Sequence, residues 1–183
     1  DGTTFKMNPP FVVLATQNPI EQEGTYRLPE AQLDRFLFKI NVAYPNADEE
    51  FSILLKEQAL ENSTKTSKIE TVIKGSQIVA YRNLVNQIKI EENLLKYISN
   101  IVVNTRSNSF LYLGASPRAS ISLAKAAKAY AFINRRGYVI PEDVRAVCKD
   151  VMRHRIGLSY EAEAENVSTE DIITEILNRV EIP

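Results

Sequence analysis

Phe11-Val12-Val13-Leu14-Ala15-Thr16-Gln17-Asn18-Pro19 is a short continuous apolar run that ends in two amides and a proline. Apolarity without alternation predicts a strand buried on both faces, as inside a parallel α/β sheet. In open sheets of that kind ligands sit beyond the carboxyl ends of the strands, so the run would deliver Gln17 and Asn18 to a ligand-facing position. Asn18 has the chemistry to orient a water or bind a phosphate oxygen without carrying charge. The plainer alternative is that Asn18-Pro19 only initiates a turn.

Working outward, Leu28-Pro29-Glu30 suits a helix start, with proline at the first helical position and an acid behind it, and this brief helix ends near Phe36. Arg35 stands at its end, in Leu33-Asp34-Arg35-Phe36. A guanidinium is always charged and forked, which fits it to stabilise a phosphoryl-transfer transition state from a neighbouring subunit. The alternative is a surface ion pair with Asp34 or Glu30, of little energetic weight. Phe36 to Val42 reads as a second strand, closed by Tyr44-Pro45, and the opening Asp1-Gly2-Thr3-Thr4-Phe5 has a hairpin-turn pattern. Two strands are too few to close a doubly wound sheet by themselves.

Beyond Pro45 the pattern becomes helical. Asn46 can cap a helix with the acidic first turn Asp48-Glu49-Glu50 and an apolar face of Phe51, Leu54, Leu55 and Ala59. Residues 62–68 read as a polar loop, and Ser76 as the cap of a helix facing Ile78, Val85 and Ile88 inward. Glu91-Glu92 opens a third helix with the stripe Leu94, Leu95, Ile98, Ile101 and Val102. Ser116-Pro117 starts a long Ala-rich helix that stops at Arg135-Arg136-Gly137, Pro141-Glu142-Asp143 starts another, and Ser168-Thr169-Glu170-Asp171 resembles a capping box. Ser116 as N-cap places Arg118 in a first helical turn, where orphan N–H groups and the macrodipole favour an anion. A cation there is unfavourable unless an anion lies nearby; a solvated arginine is the alternative.

The 183 residues carry 22 Lys+Arg against 23 Asp+Glu, so the bulk charge demands neither nucleic acid nor an anionic membrane. A hydrophobic fraction of 44% with 25% charged residues is that of an ordered globule. No run approaches the roughly 18 apolar residues of a membrane span. From Arg118 to Arg155 nine Lys/Arg face three acids, whereas from Ile156 to Pro183 one Arg faces seven acids. The favoured account is an acidic tail packed on basic helices; nucleic-acid binding would call for interleaved readout residues and a positive chain. His154, the single histidine, has no second His or Cys at ligand spacing and reads as a structural helix-end residue, and no metal site is expected. Cys148, the single cysteine, falls at the inward spacing of Val144, Val147 and Val151 and reads as a small core residue.

Order and spacing join these signals. Residues 11–21, then Gly24-Thr25-Tyr26-Arg27-Leu28-Pro29-Glu30-Ala31-Gln32-Leu33-Asp34-Arg35-Phe36, then Tyr44-Pro45, closely resemble the MoxR family of AAA+ ATPases. Leu113-Gly114-Ala115-Ser116-Pro117-Arg118-Ala119, Tyr138-Val139-Ile140-Pro141-Glu142-Asp143-Val144 and His154-Arg155 resemble the same family's helical lid. The resemblance implies an α/β remnant of a P-loop AAA+ core over residues 1–45 (about two strands, a short helix and part of a hairpin), followed by an all-α lid over residues 46–183. It also implies that Asn18 is the sensor 1 residue, Arg35 the arginine finger acting on ATP held by the adjacent subunit, and Arg118 the sensor 2 residue. ATP and magnesium would be the cofactors of the intact protein. Its partners would be identical subunits in a ring, by resemblance a hexamer, and von Willebrand factor A domain proteins; its place would be the cytoplasm and its work chaperone-like assembly or maturation of complexes.

None of the six glycines (2, 24, 75, 114, 137, 157) begins a Gly-x-x-x-x-Gly-Lys-Ser/Thr loop, and no apolar strand ends in Asp-Glu. The resemblance therefore implies a chain that begins inside the ATPase core, binds no nucleotide tightly and is inactive alone. Two alternatives stay open: a non-catalytic helical interaction module, and a magnesium-chelatase-like motor subunit.

Overall fold

The computed structural model describes residues 2–17, 28–61 and 70–183. Asn18, with Glu21 and Thr25, lies outside the described residues, as do Asp1 and the expected loop at 62–68.

The helices appear in the order α1 (Glu30–Leu33), α2 (Ala47–Glu61), α3 (Gly75–Gln87), α4 (Glu92–Arg106), α5 (Pro117–Ile133), α6 (Pro141–Met152), α7 (Tyr160–Ala164) and α8 (Thr169–Arg179). Strands β1 (Leu111–Leu113) and β2 (Gly157–Leu158) pair antiparallel between them. Local signals set several boundaries. Asn46 caps α2 by accepting from the Glu49 amide at 3.0 Å, and the Glu49 carboxylate returns the bond to the Asn46 amide at 2.9 Å. Ser168 and Asp171 close the same reciprocal box at α8. At α3 the start sits two residues ahead of the expected Ser76, at Lys74, whose amide donates to the Gln77 side chain at 2.8 Å while its own side chain caps nothing.

The core is the meeting of α4, α5, α6 and α8. Leu94, Tyr97, Ile98, Ile101 and Val102 of α4 are buried, and α8 contributes Ile172, Ile173, Ile176 and Leu177. Leu95, expected in the α4 stripe, is exposed, because the buried arc runs through Tyr97 instead. On α3 Ile88 is buried but Ile78 is exposed, so only the end of that helix reaches the core. Apart from Leu123, the buried face of α5 is small (Ala119, Ser122, Ala126, Ala127, Ala131), so α6 can lay Val144, Val147, Cys148 and Val151 close against it. Each large aliphatic buried this way stabilises by roughly 1.5–3 kcal/mol relative to exposure. Cys148 is a core residue as expected, its thiol pushed up to about 12 by burial, so it stays protonated and inert. The acidic tail does pack on the basic helices: Arg153 pairs with Glu170 at 3.1 Å, and Arg145 donates to the Leu177 carbonyl at 2.6 Å and to Asn178 at 3.0 Å.

Two expected strands do not form. Residues 2–17 and 37–46 are without ladder bonds among the described residues, and Val12 and Leu14 are 69% and 92% exposed. A strand acquires its identity from a neighbour that takes up its N–H and C=O groups, and no such neighbour flanks residues 11–17 among those described. Residues 36–41 find other partners, taken up below. The helical part of the chain also contains the small β1–β2 sheet and α7, neither of which the helical periodicity announces.

Between β1 and α5 the chain passes so close to α4 that a Cβ built on Gly114 would lie 2.7 Å from the Arg106 Cα. That atom is backbone and cannot swing aside. Gly114→Ala is expected to destabilise the fold by about 1–3 kcal/mol, the usual cost of overpacking. Urea denaturation followed by helical circular dichroism checks it, and an unchanged midpoint would contradict the close approach.

Candidate functional site

Helix α1 has four residues and ends in a tight turn, with Arg35 N–H donating to the Gln32 carbonyl at 3.2 Å and Phe36 N–H to the Leu33 carbonyl at 3.0 Å. The turn presents two opposite charges in succession. Arg35 is exposed and has no side-chain hydrogen bond or ion pair among the described residues. Asp34 faces the helical part of the chain, and its carboxylate is the meeting point of three groups. Arg155 Nε donates to Oδ1 at 3.0 Å, Arg118 Nη1 donates to Oδ2 at 2.9 Å, and the Ser116 hydroxyl lies 3.1 Å from Oδ2 and 3.3 Å from Oδ1.

The alternative pairing of Arg35 with Asp34 or Glu30 is thereby displaced. Asp34 is taken by Arg118 and Arg155, and Glu30 accepts a short hydrogen bond from the Tyr112 hydroxyl. Ser116 occupies the N-cap position of α5, but its hydroxyl makes no cap bond to the helix backbone. It is spent on Asp34. The anion that a cation in the first turn of α5 requires is therefore on hand: it is the Asp34 carboxylate.

Arg155 anchors this cluster from beneath. Its side chain is 1% exposed, and its three nitrogens donate to Asp34, to the carbonyls of Asp34 (3.2 Å), Phe36 (2.6 Å) and Leu37 (3.2 Å), to the Ser122 hydroxyl (3.3 Å) and to the Val151 carbonyl. The last bond caps the C-terminal end of α6, where free carbonyls and the negative end of the dipole favour a cation. The residues beside it extend the grip. His154 Nε2 lies 2.9 Å from the Phe36 carbonyl, which can only accept, so Nε2 carries the proton. Arg153 donates to the Lys39 carbonyl at 2.8 Å and pairs with Asp150 at 2.9 Å and Glu170 at 3.1 Å, while Lys39 N–H donates to the Asp150 carbonyl at 2.9 Å. Residues 34–39 are thus held by three consecutive side chains, Arg153-His154-Arg155, that follow α6.

Burial alone would raise the Asp34 carboxyl, but hydrogen bonds from Ser116, Arg155 and Arg118 outweigh it and hold the group below the usual carboxylate range. Burial lowers Arg155, partly offset by Asp34, and it remains charged. Burial also lowers His154 below 6.5, more than the Phe36 carbonyl bond raises it, and neighbouring Arg155 and Lys39 add to the lowering. Its Nδ1 is buried without a partner among the described residues, so the neutral ring is the form that fits.

Of the expected site residues, Arg118 and the Arg35 turn are brought together through Asp34, and Asn18 lies outside the described residues. Asp34, Ser116, Arg153 and Arg155 were not singled out as site residues by sequence reasoning, although each lies within a stretch that carries the resemblance or beside one. Arg118 is half-exposed, and only Nη1 of its guanidinium is engaged among the described residues, which fits contact with a phosphate oxygen. No group of three or more His, Cys, Asp or Glu among the described residues would hold a metal ion, and none of the helices in the described residues is long and apolar enough to cross a membrane.

Residues 1–38 match the family described as "ATPase family associated with various cellular activities (AAA)", and residues 103–176 match the AAA lid domain. Over all 183 residues the chain is 42% identical to YeaC of Bacillus subtilis, covering 56% of that protein, and it is 42% identical to the chaperone MoxR1 of Mycobacterium tuberculosis, covering 49%. This chain belongs to the MoxR family of AAA+ ATPases. A crystal structure assigned as an ATPase from Cytophaga hutchinsonii superposes on 99% of the chain with a TM-score of 0.89 at 43% identity, and the match takes in 57% of that protein. The chain spans about half the length of the relatives it matches. In AAA+ terms, the turn that carries Arg35 belongs to the AAA segment, while Arg118 and Arg155 belong to the lid.

Two outcomes follow for the clasp. Arg155→Ala would leave Asp34 short of a buried partner and is expected to cost about 3–5 kcal/mol in chemical denaturation; a loss below 1 kcal/mol would contradict the buried pairing. His154 stays neutral in the fold while the unfolded chain takes up a proton below about pH 6.5. Stability is therefore expected to fall as pH drops from 6.5 toward the lower folded value. His154→Gln, which keeps a donor for the Phe36 carbonyl, should flatten that slope, as read by thermal melts between pH 7.5 and 5.5.

Proposed function

We infer that this chain supplies the nucleotide-sensing and neighbour-activating parts of an ATP-hydrolysing ring that assembles or matures other protein complexes. The roles are Asn18 as sensor 1, Arg35 as the finger reaching ATP held by the adjacent subunit, and Arg118 as sensor 2. The division of labour falls at residues 1–45 for the α/β core part and 46–183 for the lid. ATP with magnesium is the cofactor of the ring, identical subunits (six by family resemblance) and von Willebrand factor A domain proteins are its partners, and its site of action is the cytoplasm.

The observation that carries this reading is the opposite placement of two arginines about one carboxylate. Arg118 is tied to Asp34 with donors to spare, while Arg35, next in sequence to Asp34, is left exposed. A cation without an acidic partner among the described residues is suited to an acceptor elsewhere, and an in-trans finger needs this. The relatives support the activity class: one is named a chaperone and the aligned crystal structure is assigned as an ATPase. Nucleotide binding itself needs a phosphate-cradling loop, whose pattern is not among these 183 residues.

The test is a mixing experiment in a longer chain that joins these residues to a Gly-x-x-x-x-Gly-Lys-Ser/Thr loop. Arg35→Ala should lower turnover by about 10³-fold or more, within the range of finger losses. Adding subunits with a disabled phosphate loop but an intact Arg35 should restore part of it, and failure to restore would argue against action in trans. The 183-residue chain alone is expected to show no ATP turnover in a phosphate-release assay.

A further inference from the structure

We propose that Asp34 is a positioning residue for Arg35, fastening the finger turn to the lid of its own subunit so that lid position is passed to the arginine that serves the neighbouring site. The proposal rests on the in-trans reading of Arg35 and adds to it the residue that sets where the finger points. Its ground is the geometry at the turn. Helix α1 is too short to hold a direction by its own hydrogen bonds, and it contributes no buried residue. The direction of the turn is set from outside, by bonds that among the described residues come from the lid.

Asp34 and Arg35 are adjacent, so a backbone fixed at Asp34 leaves little freedom to the Arg35 Cα. The fixing is redundant: the carboxylate takes Arg155, Arg118 and Ser116, and the carbonyls of Asp34, Phe36 and Leu37 take Arg155 as well. The donors come from two places in the lid, the N-terminus of α5 and the end of α6, which are packed together through the small face of α5. A shift of the lid that moves these ends therefore carries Asp34 with it. Arg118 is the exposed member of the cluster and the one with free donors, so a phosphate oxyanion can compete with Asp34 for it. Arg155 has no such freedom; its side chain is 1% exposed and every nitrogen is engaged. On this account phosphate contact at Arg118 loosens one of the three side-chain bonds to Asp34 and leaves the buried one in place.

Two measurements test the proposal. In the 183-residue chain, hydrogen exchange reads the amides of Arg35, Phe36 and Lys39, which donate to Gln32, Leu33 and Asp150. Asp34→Asn should speed their exchange by about tenfold or more while the amides of α4 keep their protection; unchanged exchange would overturn the clasp. If Asp34→Asn unfolds the chain, Ser116→Ala removes one donor only and should produce a smaller change confined to the same amides, and a change spread evenly over the chain would overturn the proposal. The second measurement uses mixed assemblies of the longer chain. Donor subunits carry a disabled phosphate loop, and acceptor subunits carry Arg35→Ala, so every turnover uses a donor finger. Asp34→Asn in the donor should lower kcat by about ten- to a hundredfold, the cost of misplacing a catalytic group by roughly 1 Å, with KM for ATP within about twofold. A fold defect alone would instead reduce the fraction of assembled rings and leave kcat per ring unchanged. If Arg35→Ala in the donor abolishes turnover while Asp34→Asn leaves it intact, the positioning role falls and the finger reading stands. If neither donor variant matters, the finger reading falls and takes this inference with it.

Discussion

The buried guanidinium of Arg155 is the constraint on which the arrangement of this chain depends. A charge with 1% of its side chain exposed must be neutralised and fully hydrogen-bonded, or the desolvation is uncompensated. Its counter-ion, Asp34, lies 121 residues earlier in the sequence. Satisfying one side chain therefore brings the turn that carries Arg35 onto the lid. The other donors of Arg155, to carbonyls of the same turn and to the end of α6, fix the orientation as well as the contact.

A shared carboxylate also explains the local oddities around it. Ser116 gives up the usual capping bond, and Arg118 occupies a helix end where a cation is disfavoured. Both departures are resolved by the same anion. They lie at the place where the two family segments meet, which is where local rules give way to the needs of a site. The MoxR relationship gives these residues a setting, since the Asp34–Arg155 pair joins the AAA segment to the lid segment by a buried bond.

The helical half was legible in the sequence because its signals are short-range. The box at Ser168 and Asp171 and the proline starts at Pro117 and Pro141 act within one turn of chain, whereas the expected stop at Gly137 was misplaced: α5 ends at Ile133, and Arg135 takes the left-handed conformation beyond it, with φ 57°. The inward residues were legible along the middle of the α4 stripe, as at Ile98, Ile101 and Val102, and misread at its edge, as at Leu95, and on the weakly amphipathic α3, as at Ile78. The N-terminal strands were legible only as composition. Hydrophobic continuity at residues 11–15 marks a segment fit for a sheet, but a ladder is a relation between two segments, and no neighbour for it is found among the described residues. Residues 36–41 show the same limit: apolar character suggested a strand, and the groups that take up their backbone are Arg153, His154, Arg155 and Asp150.

The sequence by itself determined the family, most of the helix starts and the identity of the charged residues near the site, because each is written in spacing over a few residues or in a long run of such spacings. Arg35 and Arg118 could be singled out that way. Only the tertiary structure decided their partners. Which carboxylate meets which guanidinium depends on burial and on distances across the whole chain, and neither charge nor spacing distinguishes Asp34 as partner of Arg155 from Asp34 as partner of Arg35, one residue away. The folded chain makes the choice, since a buried cation loses far more by going unpaired than an exposed one does.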